Sequence, residues 1–414
     1  MRILVVHQYY CFPGLPGGSR FNEFARLWAK AGHEVTVIAG SVSHATGQAH
    51  PAYVGRWLTR ERDGDVDVIR CYVPRSYRRS YAGRAWGFLG FLLSSATAAL
   101  TAKADVVIAT SPPLMTVITG WLAARVRHRA PLIFEVRDLW PESAVTTGVL
   151  SERGALTKCL YRLEAWGYRV AERVNVLTPA FREDILRREL ADAEKIVLVP
   201  NGADQAFFEY DGDRQQVRAA LGWNGRTVFL YAGAHGRANA IGQLVDTADK
   251  LRHRHDILIA LAGDGPERAK WQQVAAARGL SNILFHGPQA KDHMPAIVDA
   301  SDVGVAVLQD NPTFRTVYPN KVFDYMACGR PVLLAIDGAA RDLVCVRAKA
   351  GIFAEPEDAS AIASQMEWMA DHPDECARMG EDGRAWVRAH ASRDALASRY
   401  LDIMRDLVST NGTG

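Results

Sequence analysis

"RTVFLYAGAHGRANAIGQLVDTADKL", residues 226–251, reads as a buried strand, a glycine-bearing loop and a helix, in that order. Its position decides the fold. The same order has already run once from the amino terminus: "RILVV" (2–6), the glycine-rich "FPGLPGGSR" (12–20), the helical "RFNEFARLWAKAGH" (20–33) and a second apolar run, "EVTVIAG" (34–40). Strand, loop, helix and strand make the βαβ unit of a parallel sheet. "ADVVIATSPP" (104–113), "APLIFEVRDLWPE" (130–142), "RVNVLTPA" (173–180) and "KIVLVPNGAD" (195–204) extend that first sheet.

The restart at residue 226 therefore begins a second α/β sheet. "DILIALAGDGPERAKWQQVAAARG" (256–279), "NILFHGPQAKDHMPAIVDAS" (282–301), "DVGVAVLQD" (302–310) and "RPVLLAI" (330–336) continue it. A chain of 414 residues accommodates two such domains. The reading divides it into a Rossmann-like domain over 1–203, a second over 204–390, and a helix with a tail over 391–414 that docks back on the body. Two doubly wound sheets face each other across a cleft, and ligands bind beyond the carboxyl ends of such strands.

Composition narrows the function. Lys plus Arg is 49 against 46 for Asp plus Glu, a net charge of +3, which gives no electrostatic case for nucleic acid. Cys11, Cys71, Cys159, Cys328, Cys345 and Cys376 are scattered without metal-ligand spacing and read as free thiols of a reducing compartment. The opening "MRILVVHQYY" reads as a first strand, not a leader.

In "TVYPNKVFDYMACGRPV" (316–332), Pro319 suits a first helical turn and Gly329 a stop, predicting a helix over 319–328. Lys321 then sits at the positive end of the helix dipole. That placement makes sense once an anion such as a diphosphate binds there. Asp324 lies one turn on, on the same side, where a carboxylate can accept from a ribose diol. In "YAGAHGR" (231–237), glycines allow close backbone approach and Arg237 can grip phosphate oxygens. His235 reads as a loop histidine. "FHGPQ" (285–289) could read a base through the backbone near His286 and Gly287. "DGDVD" (63–67) reads as an exposed turn and not as a metal site. "RDLWPES" (137–143) ends a strand, with Asp138 as a candidate base and Arg137 as a candidate anion binder.

The ordered set "GGSR…GHEVTVIAG", "TSPP", "RDLWPES", "VPNGAD", "YAGAHGR", "AGDGPE", "FHGPQ" and "VYPNKVFDYMACGRPV" resembles a family 4 glycosyltransferase of the GT-B fold. Within that family it is similar to bacterial O-antigen and capsule transferases of the N-acetylfucosamine type. The resemblance implies a nucleotide-sugar donor on the C-terminal domain, an acceptor on the N-terminal domain, retention at the anomeric carbon and no essential metal or other cofactor. It implies that Arg237 and Lys321 hold the diphosphate, with Gly17, Gly18, Gly236 and Gly287 approaching the donor. Asp324 takes the place of the second glutamate of the family's E-x7-E motif. The first falls at Thr316, a departure that points to a deoxy or acetamido sugar. UDP is the preferred nucleotide. Arg137 and Asp138 fall on the acceptor side, and the catalytic set is Asp138, Arg237 and Lys321.

"RSYRRSYAGRAWGFLGFLLSSATAAL" (75–100) joins Arg75, Arg78, Arg79 and Arg84 to an apolar run too short to span a bilayer, a pattern suited to an anionic membrane surface. The expected place is the cytoplasm, peripheral at the inner face of the membrane, with a polyprenyl-linked sugar as acceptor. Three other readings stay open: a soluble transferase acting on a small natural product, a sugar-nucleotide epimerase, and a non-catalytic nucleotide-sugar binder.

Overall fold

The structure is a computed structural model that describes residues 1–12, 20–42, 50–74, 81–146 and 148–411; for Tyr81, Ala82, Arg84, Ala85, Arg127, His128 and Asn411 it describes the backbone alone. The chain forms two compact units. One comprises residues 1–200 and 396–414, the other 201–395.

The first unit is built on eight strands: β1 (Arg2–Val6), β2 (Glu34–Gly40), β3 (Leu58–Asp63), β4 (Val66–Cys71), β5 (Val106–Thr110), β6 (Leu132–Val136), β7 (Arg173–Val176) and β8 (Ile196–Leu198). Their order is β3-β4-β2-β1-β5-β6-β7-β8. All neighbours are parallel except β3, which runs antiparallel to β4. β5 and β6 are buried at every position, which is why they read as unbroken apolar runs. The chain winds outward from β1 to β2 on one side and returns to β5 on the other, so the sheet's direction switches between β1 and β5.

The antiparallel β3–β4 hairpin was not legible as strand. The reading of residues 63–67 as an exposed turn holds for Gly64 and Asp65, which turn the hairpin, but not for Asp63. Asp63 is buried, accepts from the Tyr10 hydroxyl at 2.8 Å and from Arg26 Nε at 2.9 Å, and so ties the hairpin to the first helix. The closing helix, Arg393–Asn411, lays Leu396, Tyr400, Met404 and Leu407 against Phe21, Phe24 and Trp28 of the helix Arg20–Lys30. The Trp28 indole donates to the Ala397 carbonyl at 3.0 Å.

The second unit is a six-stranded parallel sheet of β9 (Thr227–Ala232), β10 (Ile257–Ala262), β11 (Ile283–Gly287), β12 (Val303–Val307), β13 (Val332–Ala335) and β14 (Gly351–Phe353), in the order β11-β10-β9-β12-β13-β14. Its direction switches between β9 and β12. Apolar clusters cover both faces. The helix of the 316–332 stretch runs Asn320–Ala327, one residue shorter at each end than the sequence predicts, and its stop is Gly329 with φ of +68°. Tyr325 anchors it to the sheet. The phenol accepts from Ala232 N–H at 2.8 Å and donates to the Val305 carbonyl at 3.2 Å. Its ring fills the space where a side chain on Gly304 would stand, a Cβ there falling 2.2 Å from Tyr325 Cγ.

Candidate active site

At the carboxyl end of β9 the chain turns through Gly233–Gly236 and at that of β10 through Gly263–Gly265. The two turns touch. His235 N–H donates to the Asp264 carbonyl at 2.9 Å, and a Cβ on Gly263 would fall 1.8 Å from the Gly233 oxygen. Gly233 and Gly263 have φ of +148° and +151°, so glycine is required by both backbone angle and contact. The turn after β12 joins this group when Gln309 N–H donates to the Ala238 carbonyl at 3.0 Å.

The helix Asn320–Ala327 feeds Lys321 into the same place. Its amine lies 3.5 Å from the centroid of the Tyr231 ring, and a Cβ on Gly233 would stand 3.0 Å from it. The residue as a whole is partly exposed, but its nitrogen is shut off from water and has no hydrogen-bond partner among the described residues. Burial pulls its pKa down from 10.5 to about 7. The sequence placed this lysine beside the free N–H groups of its own helix; the structure turns its amine onto the Tyr231 ring instead, a cation–π contact that partly replaces lost water. Tyr231 is held by its hydroxyl, which donates to the Ala234 carbonyl at 2.8 Å.

His235 is fully buried with both ring nitrogens unpartnered among the described residues, and burial, then the Lys321 charge, lower its pKa to about 4. It is a neutral imidazole, deeper than a loop histidine is expected to lie.

Arg237 opens the short turn Arg237–Asn239 and is exposed. With Gln243, Lys270, Trp271 and Glu357 it borders a cavity of about 370 Å³. Gly236 precedes it and donates its N–H to Asn239 Oδ1 at 3.3 Å. Asp324 lies on the Lys321 helix, half-buried. Thr316 uses its hydroxyl to bond the Thr313 carbonyl at 2.7 Å. Gly287 ends β11 at φ of +73°, and its carbonyl already accepts from Gly263 N–H at 2.8 Å. The His286 ring accepts from the Trp223 indole at 3.0 Å. Base reading through these two residues would therefore have to use groups other than that ring and that carbonyl. Gly17 and Gly18 lie outside the described residues, as do Arg75, Arg78 and Arg79.

In the first unit, the carboxyl ends of β1, β5 and β6 bring together His7, Thr110, Ser111, Arg137 and Asp138. The Asp138 carboxylate accepts from the Ser143 hydroxyl at 2.9 Å and from Leu139 N–H, and burial raises its pKa above the usual carboxylate range. A carboxylate made more basic in this way is better suited to take a proton, though the same bonds also cap the turn before Glu142. His7 was not singled out by sequence; its only local signal is that it directly follows the first strand. Among the described residues no three His, Cys, Asp or Glu side chains gather as a metal-binding group.

A glycosyl transferase 4-like domain matches residues 17–202, and a glycosyl transferases group 1 domain matches residues 226–372. The chain belongs to the family 4 glycosyltransferases of the GT-B fold. This glycosyltransferase is 26% identical over 340 residues to WcaI of Escherichia coli K12, described as a colanic acid biosynthesis glycosyl transferase, covering 80% of this chain and 82% of that one. Its fold matches sucrose-phosphate synthase of Thermosynechococcus elongatus at a TM-score of 0.74 and 19% identity over 99% of both chains. It matches Anabaena HepE, solved in complex with UDP, at 0.72 and 16% identity over 98% of this chain and 100% of that one.

Proposed function

We propose that this glycosyltransferase moves a sugar, with retention, from a nucleoside diphosphate donor on its C-terminal unit to a polyprenyl-diphosphate-linked acceptor in surface polysaccharide synthesis. The observation that carries the donor reading is the buried amine of Lys321, which has no hydrogen-bond partner and no counter-charge among the described residues. A buried cation without a counter-charge is unstable unless something anionic completes it. A departing diphosphate is such a group. Fixed cations aimed at a leaving group contribute about 3–4 kcal/mol to a transition state by analogy with a single oxyanion-hole donor. In this reading Lys321 and Arg237 supply that charge in place of a divalent metal, Asp324 meets the ribose, and Thr316 lies near the sugar. Asp138 takes the proton of the acceptor hydroxyl. UDP as nucleotide is supported by the HepE complex, and polysaccharide synthesis by the likeness to WcaI.

A thermal-shift screen across nucleoside diphosphates, with and without EDTA, tests the donor reading. A ligand at 100 times its Kd stabilises the folded state by about 2.7 kcal/mol. UDP is expected to raise the melting temperature equally in both conditions. No shift with any diphosphate would end the reading, and a shift lost in EDTA would return the charge to a metal.

The lipid-linked acceptor draws support from the helix Tyr81–Ala99. Trp86 and Leu93 are 55% and 51% exposed, and Leu89 shares that face at helical spacing. No helix among the described residues is long and apolar enough to cross a membrane. With the arginines at 75, 78, 79 and 84 beside it in sequence, the stripe suits an anionic bilayer surface. Replacing Trp86, Leu89 and Leu93 together by serine is expected to cut cosedimentation with phosphatidylglycerol vesicles by roughly tenfold; unchanged cosedimentation would favour a soluble acceptor.

A further inference from the structure

Within the first unit, His7 stands where the sheet changes direction, at the carboxyl end of β1 and beside β5. Ligands of open α/β sheets bind at such a point. The His7 side chain is buried, with its backbone N–H bound to the Ile38 carbonyl at 2.9 Å and its ring 5.5 Å from that of Phe21. Its Nδ1 lies 2.8 Å from Thr110 Oγ1, and its Nε2 lies 3.4 Å from Arg137 Nη1. A guanidinium can only donate. Nε2 must therefore be the bare nitrogen, and Nδ1 carries the hydrogen, which it donates to Thr110. The tautomer follows from the chemistry of the two partners. The backbone of Arg137 is fixed in turn by its N–H to Ser111 Oγ at 3.3 Å.

We propose that His7 is a positioning residue: the lone pair on its Nε2, held in place by Thr110, orients the Arg137 guanidinium so that its terminal amino end faces a phosphate of the acceptor. This rests on the assignment of Arg137 to the acceptor. His7 itself touches no substrate. It takes up one donor of the Arg137 fork and so fixes the direction of the guanidinium plane.

Farnesyl diphosphate serves as a probe for the acceptor, with UDP at saturating concentration to fill the donor side. Arg137→Ala and His7→Phe are each expected to weaken its binding by roughly tenfold or more. His7→Phe keeps a ring against Phe21 and removes both nitrogens, the Nδ1–H donated to Thr110 as well as the Nε2 that accepts from Arg137. His7→Gln, which can present an oxygen to Arg137, is expected to recover most of the loss. The decisive comparison is the double variant. If His7 acts through Arg137, His7→Phe adds no further loss to Arg137→Ala. Additive losses, or equal losses in the Phe and Gln variants, would mean that His7 only fills space, and the inference would fall. Unchanged binding in Arg137→Ala would remove both the inference and the acceptor assignment, leaving the donor reading to its own thermal-shift test. Should His7→Phe not fold, His7→Leu makes the same comparison.

Discussion

Lys321→Met is expected to raise the melting temperature of the ligand-free protein while abolishing its response to nucleoside diphosphates. The two effects have one cause. An unfolded lysine stays protonated up to about 10.5, whereas the folded one gives up its proton near 7. Between those values the unfolded chain holds one more proton than the folded chain, so stability rises with pH across that window. The cost of burying the charge is therefore full below pH 7 and fades towards pH 10. At pH 7 it amounts to about 4 kcal/mol before the Tyr231 contact offsets part of it. Methionine matches the length of the stem and carries no charge. Calorimetry should show a gain of roughly 2–4 °C for each kcal/mol recovered, with the advantage over wild type shrinking as pH is raised from 7 to 10. A variant less stable than wild type at pH 6 would contradict the burial argument. A variant that still responds to UDP would contradict the functional one.

Arg20→Met is expected to act in the opposite direction and to unfold the first unit readily. Arg20 and Glu135 are almost wholly buried, with Arg20 Nε 3.1 Å from Glu135 Oε1. The same guanidinium donates to the Val199 carbonyl at 2.7 Å and to that of Pro200, where the first unit ends. Asn175 completes the group, its Nδ2 donating to Glu135 Oε2 at 3.0 Å and its Oδ1 accepting from Val199 N–H at 2.8 Å. Removing the arginine leaves a carboxylate inside the sheet layer without a counter-charge, a loss of about 3–5 kcal/mol. Urea unfolding should register it as a lower midpoint of the first transition. Glu135→Leu added to Arg20→Met is expected to recover part of the loss, because no stranded charge remains. A double variant weaker than the single would show that the carbonyl contacts to Val199 and Pro200, and not the ion pair, hold this region.

Parallel strands such as "VVIAT" and "LIFEV" were legible because a strand covered on both faces has to be apolar throughout, whereas β4 and β14, also parallel, were missed. β3, "LTRERD", has no such run; it is an edge strand whose charges face outward or pair, and nothing local distinguishes it from a loop. Asp63 was misread for a related reason. A turn-like "DGD" gives no sign that Tyr10 and Arg26 will close over its first carboxylate. Lys321 and Asp324 were singled out from helix-end chemistry, but the direction of the lysine amine depends on Tyr231, a residue of a separate strand. His7 escaped altogether, because its partners Thr110 and Arg137 lie 103 and 130 residues away. Long-range pairing of this kind leaves no periodicity to read.

The most direct test of the account is the proton balance of UDP binding at pH 8, measured by calorimetry in two buffers of different ionisation enthalpy. At that pH the nucleotide is fully ionised and the Lys321 amine, with its pKa near 7, is mostly neutral. Engaging the diphosphate should restore its charge, so the wild type is expected to take up the larger part of a proton per UDP bound. Binding with no proton uptake, or with the same uptake in Lys321→Met, would place the diphosphate away from this amine.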